Sequence, residues 1–127
     1  MDKIKYAIKF AAAATGANVP VHFIERPESV NPSTGGQFRF RKNGELDIFI
    51  YEKDNVDKII EILLHEFCHA KQVLDGRLRL ISDKLMFWKG QRVTQDYLNQ
   101  PHEVEARQFA REKQIEFNRF WREFCNS

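Results

Sequence analysis

His65-Glu66-Phe67-Cys68-His69 is the part of this chain best equipped for chemistry. Four residues along a helix is just over one turn, so His65 and His69 project from one face with Cβ atoms about 5–6 Å apart. Two neutral imidazoles at that separation can bind one zinc ion, each at about 2.0–2.1 Å. Glu66 sits beside such an ion rather than on it. There a carboxylate can act as general base toward zinc-bound water. Three residue identities are a weak signature, so the surrounding sequence has to support them.

It does. Val56, Ile59, Ile60, Leu63, Leu64 and Phe67 recur at spacings of one, three and four, with Leu74 a longer step on. That is the apolar stripe of a buried helix over about 55–75. Asp54 or Asn55 can cap its start and Gly76 can end it. His65, Glu66 and His69 lie with Ile62 on the flank of the stripe, where a metal facing a cleft needs them. The bland alternative is a pair of satisfied histidines on a half-buried helix.

A catalytic zinc usually takes three protein ligands and keeps one position open. The candidates for the third are His102, Glu103 and Glu105, at the start of a last helix that Pro101 opens and that runs to about Phe124. Its core stripe is Ala106, Phe109, Ala110, Phe117, Phe120, Trp121 and Phe124. At about 100° per residue, Glu103 lies roughly 50° from the stripe centre and Glu105 roughly 110°, pointing away. His102 lies about as near as Glu103, and phase alone does not separate the two.

The pairing of His65-Glu66-x-x-His69 with a later Glu103-x-x-Ala106 resembles the gluzincin metallopeptidases. The wider run, with Leu64, Ala70-Lys71-Gln72, Trp88-Lys89-Gly90, Tyr97 and Pro101 to Ala106, looks like small phage and bacterial peptidases of that kind. The resemblance covers about residues 63–110. It implies His65, His69 and Glu103 as zinc ligands, Glu66 as the general base, and a minimal zincin-like fold. It departs at Arg107, where many gluzincins carry an acidic residue that orients a zinc histidine. Spartan-type proteases, which resemble the chain less, use a histidine as third ligand, and this keeps His102 as the alternative.

Several other residues have two readings. Cys68 can reach the metal or fill apolar space, and an extra thiolate would close the open position. A Tyr97 phenol near the zinc can donate a hydrogen bond to a developing oxyanion; otherwise it is a core or cap residue. Trp88 and Gly90 read as a packed turn. Arg39, Arg41 and Lys42 read as a solvated hairpin face, and His22 has no assigned role.

Around the motif, residues 2–15 read as a helix ended by Gly16, and Val19 to Glu25 as a strand. Residues 26–36, with two Pro and two Gly, read as a loop. Gln37 to Tyr51 reads as a hairpin turning at Asn43-Gly44 with type I′ geometry. Residues 78–93 suggest two short strands around Lys89-Gly90. The expectation is one α+β domain over 1–127: N-terminal helix, small antiparallel sheet, motif helix, hairpin-like insert, C-terminal helix.

A net charge of +2 from 20 basic and 18 acidic residues argues against a nucleic-acid partner. No run approaches the ~20 apolar residues of a membrane span. Lys9 interrupts what would be a signal-peptide core. With two Cys too few for a disulfide framework, a cytoplasmic setting is expected, the host's if the chain is of phage type. The expected function is zinc-dependent cleavage of a peptide or protein substrate by a monomer. The alternative is a zinc-stabilised structural or protein-binding domain without activity.

Overall fold

A computed structural model describes residues 2–25, 35–82 and 84–126. Helix α1 (Asp2–Thr15) leads into strand β1 (Val21–Glu25). Strands β2 (Gly36–Phe40) and β3 (Leu46–Ile50) form a hairpin before helix α2 (Val56–Leu74). Strands β4 (Leu78–Ser82), β5 (Leu85–Trp88) and β6 (Gln91–Arg92) follow. A short 3-10 turn at Tyr97–Asn99 then leads into helix α3 (Pro101–Asn126). The architecture is α+β, as the sequence indicates. Most of the loop expected over 26–36 falls on residues 26–34, outside the described residues, and Gly36 opens β2 instead.

The first sheet has the order β1-β3-β2. Its hairpin is antiparallel, but β1 runs parallel to β3, Val21 opposite Leu46 and Glu25 opposite Ile50. The sheet is therefore mixed rather than antiparallel. Alternation within a strand reports its two faces but not the direction of its neighbour. The hairpin turn also differs from expectation. Lys42 and Asn43 keep negative φ and Gly44 alone is left-handed, at +89°. With Gly44 N–H donating to Arg41 C=O and Arg41 N–H to Glu45 C=O, this is a three-residue loop ending on a left-handed glycine. The type I′ pattern occurs elsewhere. Lys89 and Gly90, with φ of 51° and 84°, join Trp88 to Gln91. That turn makes the second sheet a three-stranded antiparallel meander, β4-β5-β6, where two strands were expected.

Helix α2 is the spine. Asn55 caps it by accepting from Lys58 N–H at 3.0 Å, which satisfies one of the free amides of the first turn. It buries Ile59, Ile60, Leu63, Leu64 and Phe67 against Leu46, Ile48 and Ile50 of β3 and Ala7 and Ala11 of α1. Each such side chain removed from water contributes about 1.5–3 kcal/mol. Helix α3 packs most extensively on α2 and buries Ala106, Ala110 and Phe117. Beyond Phe117 it runs along α1, where Trp121 and Phe124 meet Tyr6. No described helix is long and apolar enough to cross a membrane.

Candidate metal centre

The crossing of α2 and α3 brings three expected ligands to one point. His65 Nε2 and His69 Nε2 lie 3.1 Å apart. Glu103 Oε1 lies 3.0 Å from the first and 3.2 Å from the second. Ligands at about 2.0–2.1 Å in a tetrahedron stand about 3.3 Å from one another, so the three atoms outline one face of a coordination sphere a zinc ion fits. Among the described residues they are the group of three His, Cys, Asp or Glu able to hold a metal. His69 and Glu103 are buried, and His65 is half-buried.

The electrostatics follow from this packing. Burial alone would raise the Glu103 carboxyl, but hydrogen bonds from His65 and His69 hold it well below the usual carboxylate range. Burial opposes a charge on His69, yet the Glu103 bond and the nearby carboxylates outweigh it, and its pKa is raised. The cluster therefore favours a cation at its centre, either protons or a metal. Glu66 is 4% exposed. Burial dominates there and raises its pKa, against the opposing pull of His69 and His65. A carboxylate shifted up in this way is a better proton acceptor at neutral pH.

The sheet comes close to Glu66 at Gly36. A Cβ on Gly36 would stand 2.5 Å from Ile62 Cγ2, 3.0 Å from the Phe49 carbonyl and 3.4 Å from Glu66 Cγ. The missing side chain lets β2 approach α2 closely beside Glu66. Both line an open cavity of about 310 Å³ with His65, His69, Glu103, Tyr97 and His102. β2 and β4 form its walls through Gln37, Phe38, Leu78 and Leu80, with Met86 from β5. A second groove, about 580 Å³, shares Phe38, Leu78 and Leu80 with it and continues along Phe40 and Ile81.

Tyr97, the residue expected as an oxyanion donor, lies at the cavity. Burial together with the Glu103 carboxylate pushes its phenol up to about 12, so it keeps its proton. Arg107, which stands where an acidic partner was expected, bonds the Leu98 carbonyl next to Tyr97. It ties down the 3-10 turn rather than a histidine. His102 is buried beside the cluster, its ring 5.6 Å from His69 and 6.3 Å from Trp88. Its Nε2 lies 3.6 Å from Glu103 Oε2, outside the three-atom group. Cys68 is 1% exposed and burial pushes its thiol up to about 12, as suits a filler. Trp88 packs beneath Arg77.

Two sequence expectations are corrected here, and one further residue joins the site. Glu105 does not point away; it accepts from Gln72 Nε2 at 3.0 Å and pairs with Arg77. Helical phase gives the direction of Cβ, and two more methylene-length bonds bring the carboxylate back to the α2–α3 seam. Gln72, unassigned in the sequence, lies 2.8 Å from His69 Nδ1. Its place one turn after His69 was the available signal. Arg39 and Arg41 are not merely solvated, since both bond the fully buried Asp47 of β3. Compared with protein-family models, curated proteins and solved structures, the chain matches none.

Proposed function

We propose that this protein is a zinc-dependent peptidase of gluzincin type, with His65, His69 and Glu103 as ligands and Glu66 as general base. The observation that carries this reading is the near-tetrahedral spacing of the three ligand atoms, which line an open cavity together with the buried Glu66 carboxylate. A zinc ion bound there supplies Lewis acidity and brings water to a usable pKa. Glu66 accepts the proton of the attacking water and passes it to the leaving amine. Tyr97 O–H donates to the oxygen that gains charge as the carbonyl is attacked. The free edge of β2 holds the substrate extended by strand pairing, and the apolar groove along Phe38, Phe40 and Leu80 receives a side chain on one flank.

The test is a peptide-library digest with wild type and Glu66→Gln, each assayed for zinc. Both should carry close to one zinc per chain, and only wild type should cleave. Acid–base catalysis contributes about 10²–10⁴-fold, so the variant should lose at least the upper part of that range. Zinc in both proteins with cleavage by neither would replace this reading with the zinc-stabilised structural domain. Equal cleavage by both would reject Glu66 as the base.

A further inference from the structure

Gln72 is fully buried at the α2–α3 seam. One end of its amide lies 2.8 Å from His69 Nδ1. The other lies 3.0 Å from the His102 main-chain carbonyl and 3.0 Å from Glu105 Oε1. A carbonyl and a carboxylate only accept hydrogen bonds, so the end facing them must be the NH2 group. The end facing His69 is then the oxygen. An oxygen accepts, so Nδ1 of His69 must carry a hydrogen. Nε2, which bonds Glu103 when protonated, is then the nitrogen left to give its lone pair to a metal when the ring is neutral. Glu105 is itself fixed, because Arg77 Nη1 reaches its two oxygens at 2.9 and 2.7 Å. Arg77 in turn stacks on Trp88 with its guanidinium carbon 5.2 Å from the ring centroid, and bonds Asp75.

We infer that Arg77, Glu105 and Gln72 form a positioning relay that sets the tautomer and ring orientation of His69, presenting Nε2 to the metal. The inference rests on the reading of His65, His69 and Glu103 as a metal site. The relay does the work usually given to a carboxylate behind a metal-bound histidine. A neutral amide accepts from Nδ1–H without adding a buried charge beside Glu66 and Glu103, while the Arg77–Glu105 ion pair fixes which way that amide faces. It also ties the root of the second sheet to the metal site, because Arg77 immediately precedes β4.

The test pairs Gln72→Met, which keeps similar volume without the amide, with Glu105→Ala, which spares the buried core. Zinc affinity is read by competition against a chromophoric chelator. The nitrogen atoms of His69 are read by 15N NMR, in zinc-loaded protein and in metal-free protein at alkaline pH. Wild type should show a protonated, slowly exchanging Nδ1 and an unprotonated Nε2. Gln72→Met should bind zinc about 10–100-fold more weakly. Glu105→Ala should sit near the tenfold end of that range. In both, the Nδ1 proton should exchange faster and the metal-free ring should populate both tautomers. Should Gln72→Met fail to fold, Glu105→Ala decides alone. A folded Glu105→Ala with wild-type zinc affinity and an unchanged Nδ1 proton overturns the relay. If wild type binds no zinc, the metal reading falls, and the metal-free tautomer comparison still decides the relay.

Discussion

Two buried carboxylates in this protein have opposite surroundings. Asp47, at the centre of the first sheet, is completely covered. Arg39 Nη2 lies 2.8 Å from its Oδ2, and Arg41 Nη2 2.9 Å from its Oδ1. Glu103, 8% exposed, faces imidazole nitrogens at 3.0 and 3.2 Å. Guanidinium groups carry a permanent charge, so the protein itself completes the Asp47 site. Imidazoles are charged only when protonated. The Glu103 site is complete only when it holds protons or a metal ion, and it opens to the cavity of about 310 Å³. An uncompensated buried charge costs stability, so the Glu103 carboxylate, whose partners are exchangeable, is one that could hold a metal ion.

The comparison breaks most readily at Glu103. Glu103→Ala should weaken zinc binding by more than about 100-fold, above the range for residues behind the ligands. Asp47→Ala should leave zinc affinity unchanged and lower the melting temperature of metal-free protein. Competition titration and calorimetry of the two variants check this, and a Glu103→Ala protein that holds zinc within tenfold of wild type would end the distinction. Zinc itself should stabilise the wild type. At free zinc a hundred times its Kd the gain is about 2.7 kcal/mol, reversed by chelator and absent in Glu103→Ala, as denaturant unfolding with and without metal would show.

Gly36→Ala sharpens the picture around Glu66. The added Cβ must move Ile62, so a loss of about 1–3 kcal/mol is expected. Relieving the clash moves β2 away from α2 and with it the cavity wall beside Glu66, which should lower cleavage while zinc stays bound. Wild-type turnover in this variant would mean that cleavage does not depend on that wall.

Acid separates the two carboxylates by a smaller effect. Hydrogen bonds from Arg41 and then Arg39 hold the folded Asp47 carboxyl below its ordinary value. A lowered folded pKa gives stability that is full above the unfolded value of about 3.9 and is lost as pH falls through the folded one. The stability gap between wild type and Asp47→Asn should therefore narrow only below about pH 4. Zinc should leave earlier on acidification, because its imidazole ligands must be neutral. Parallel metal analysis and unfolding across pH would show the order, and simultaneous loss would contradict it. The smallest effect is expected at His102. His102→Phe should keep zinc within about tenfold of wild type, below the range even for residues behind the ligands. Loss of metal there would point to a three-histidine site.

Helix α2, a cap at Asp54 or Asn55, of which the structure takes Asn55, and the side-by-side placement of His65, Glu66 and His69 were legible because they are local. They depend on a 3.6-residue period and on one side chain meeting an amide three residues on. The same holds for the start of α3 at Pro101. Turn types were less legible. Asn43-Gly44 and Lys89-Gly90 both carry a turn signal, and only the strands around them decide which one takes left-handed φ at both central positions.

The sequence by itself determined the α+β element order and the two histidines with Glu66 on one helical face, since those follow from short-range periodicity. Only the tertiary structure decided that β1 runs parallel to β3 and that Glu105 bends back to the seam. It also decided that Gln72 stands behind His69 and that Asp47 draws in two arginines. Each of these depends on which elements cross and at what distance. Backbone direction, amide orientation and the compensation of a buried charge are set by partners distant in the chain, and no local period records them.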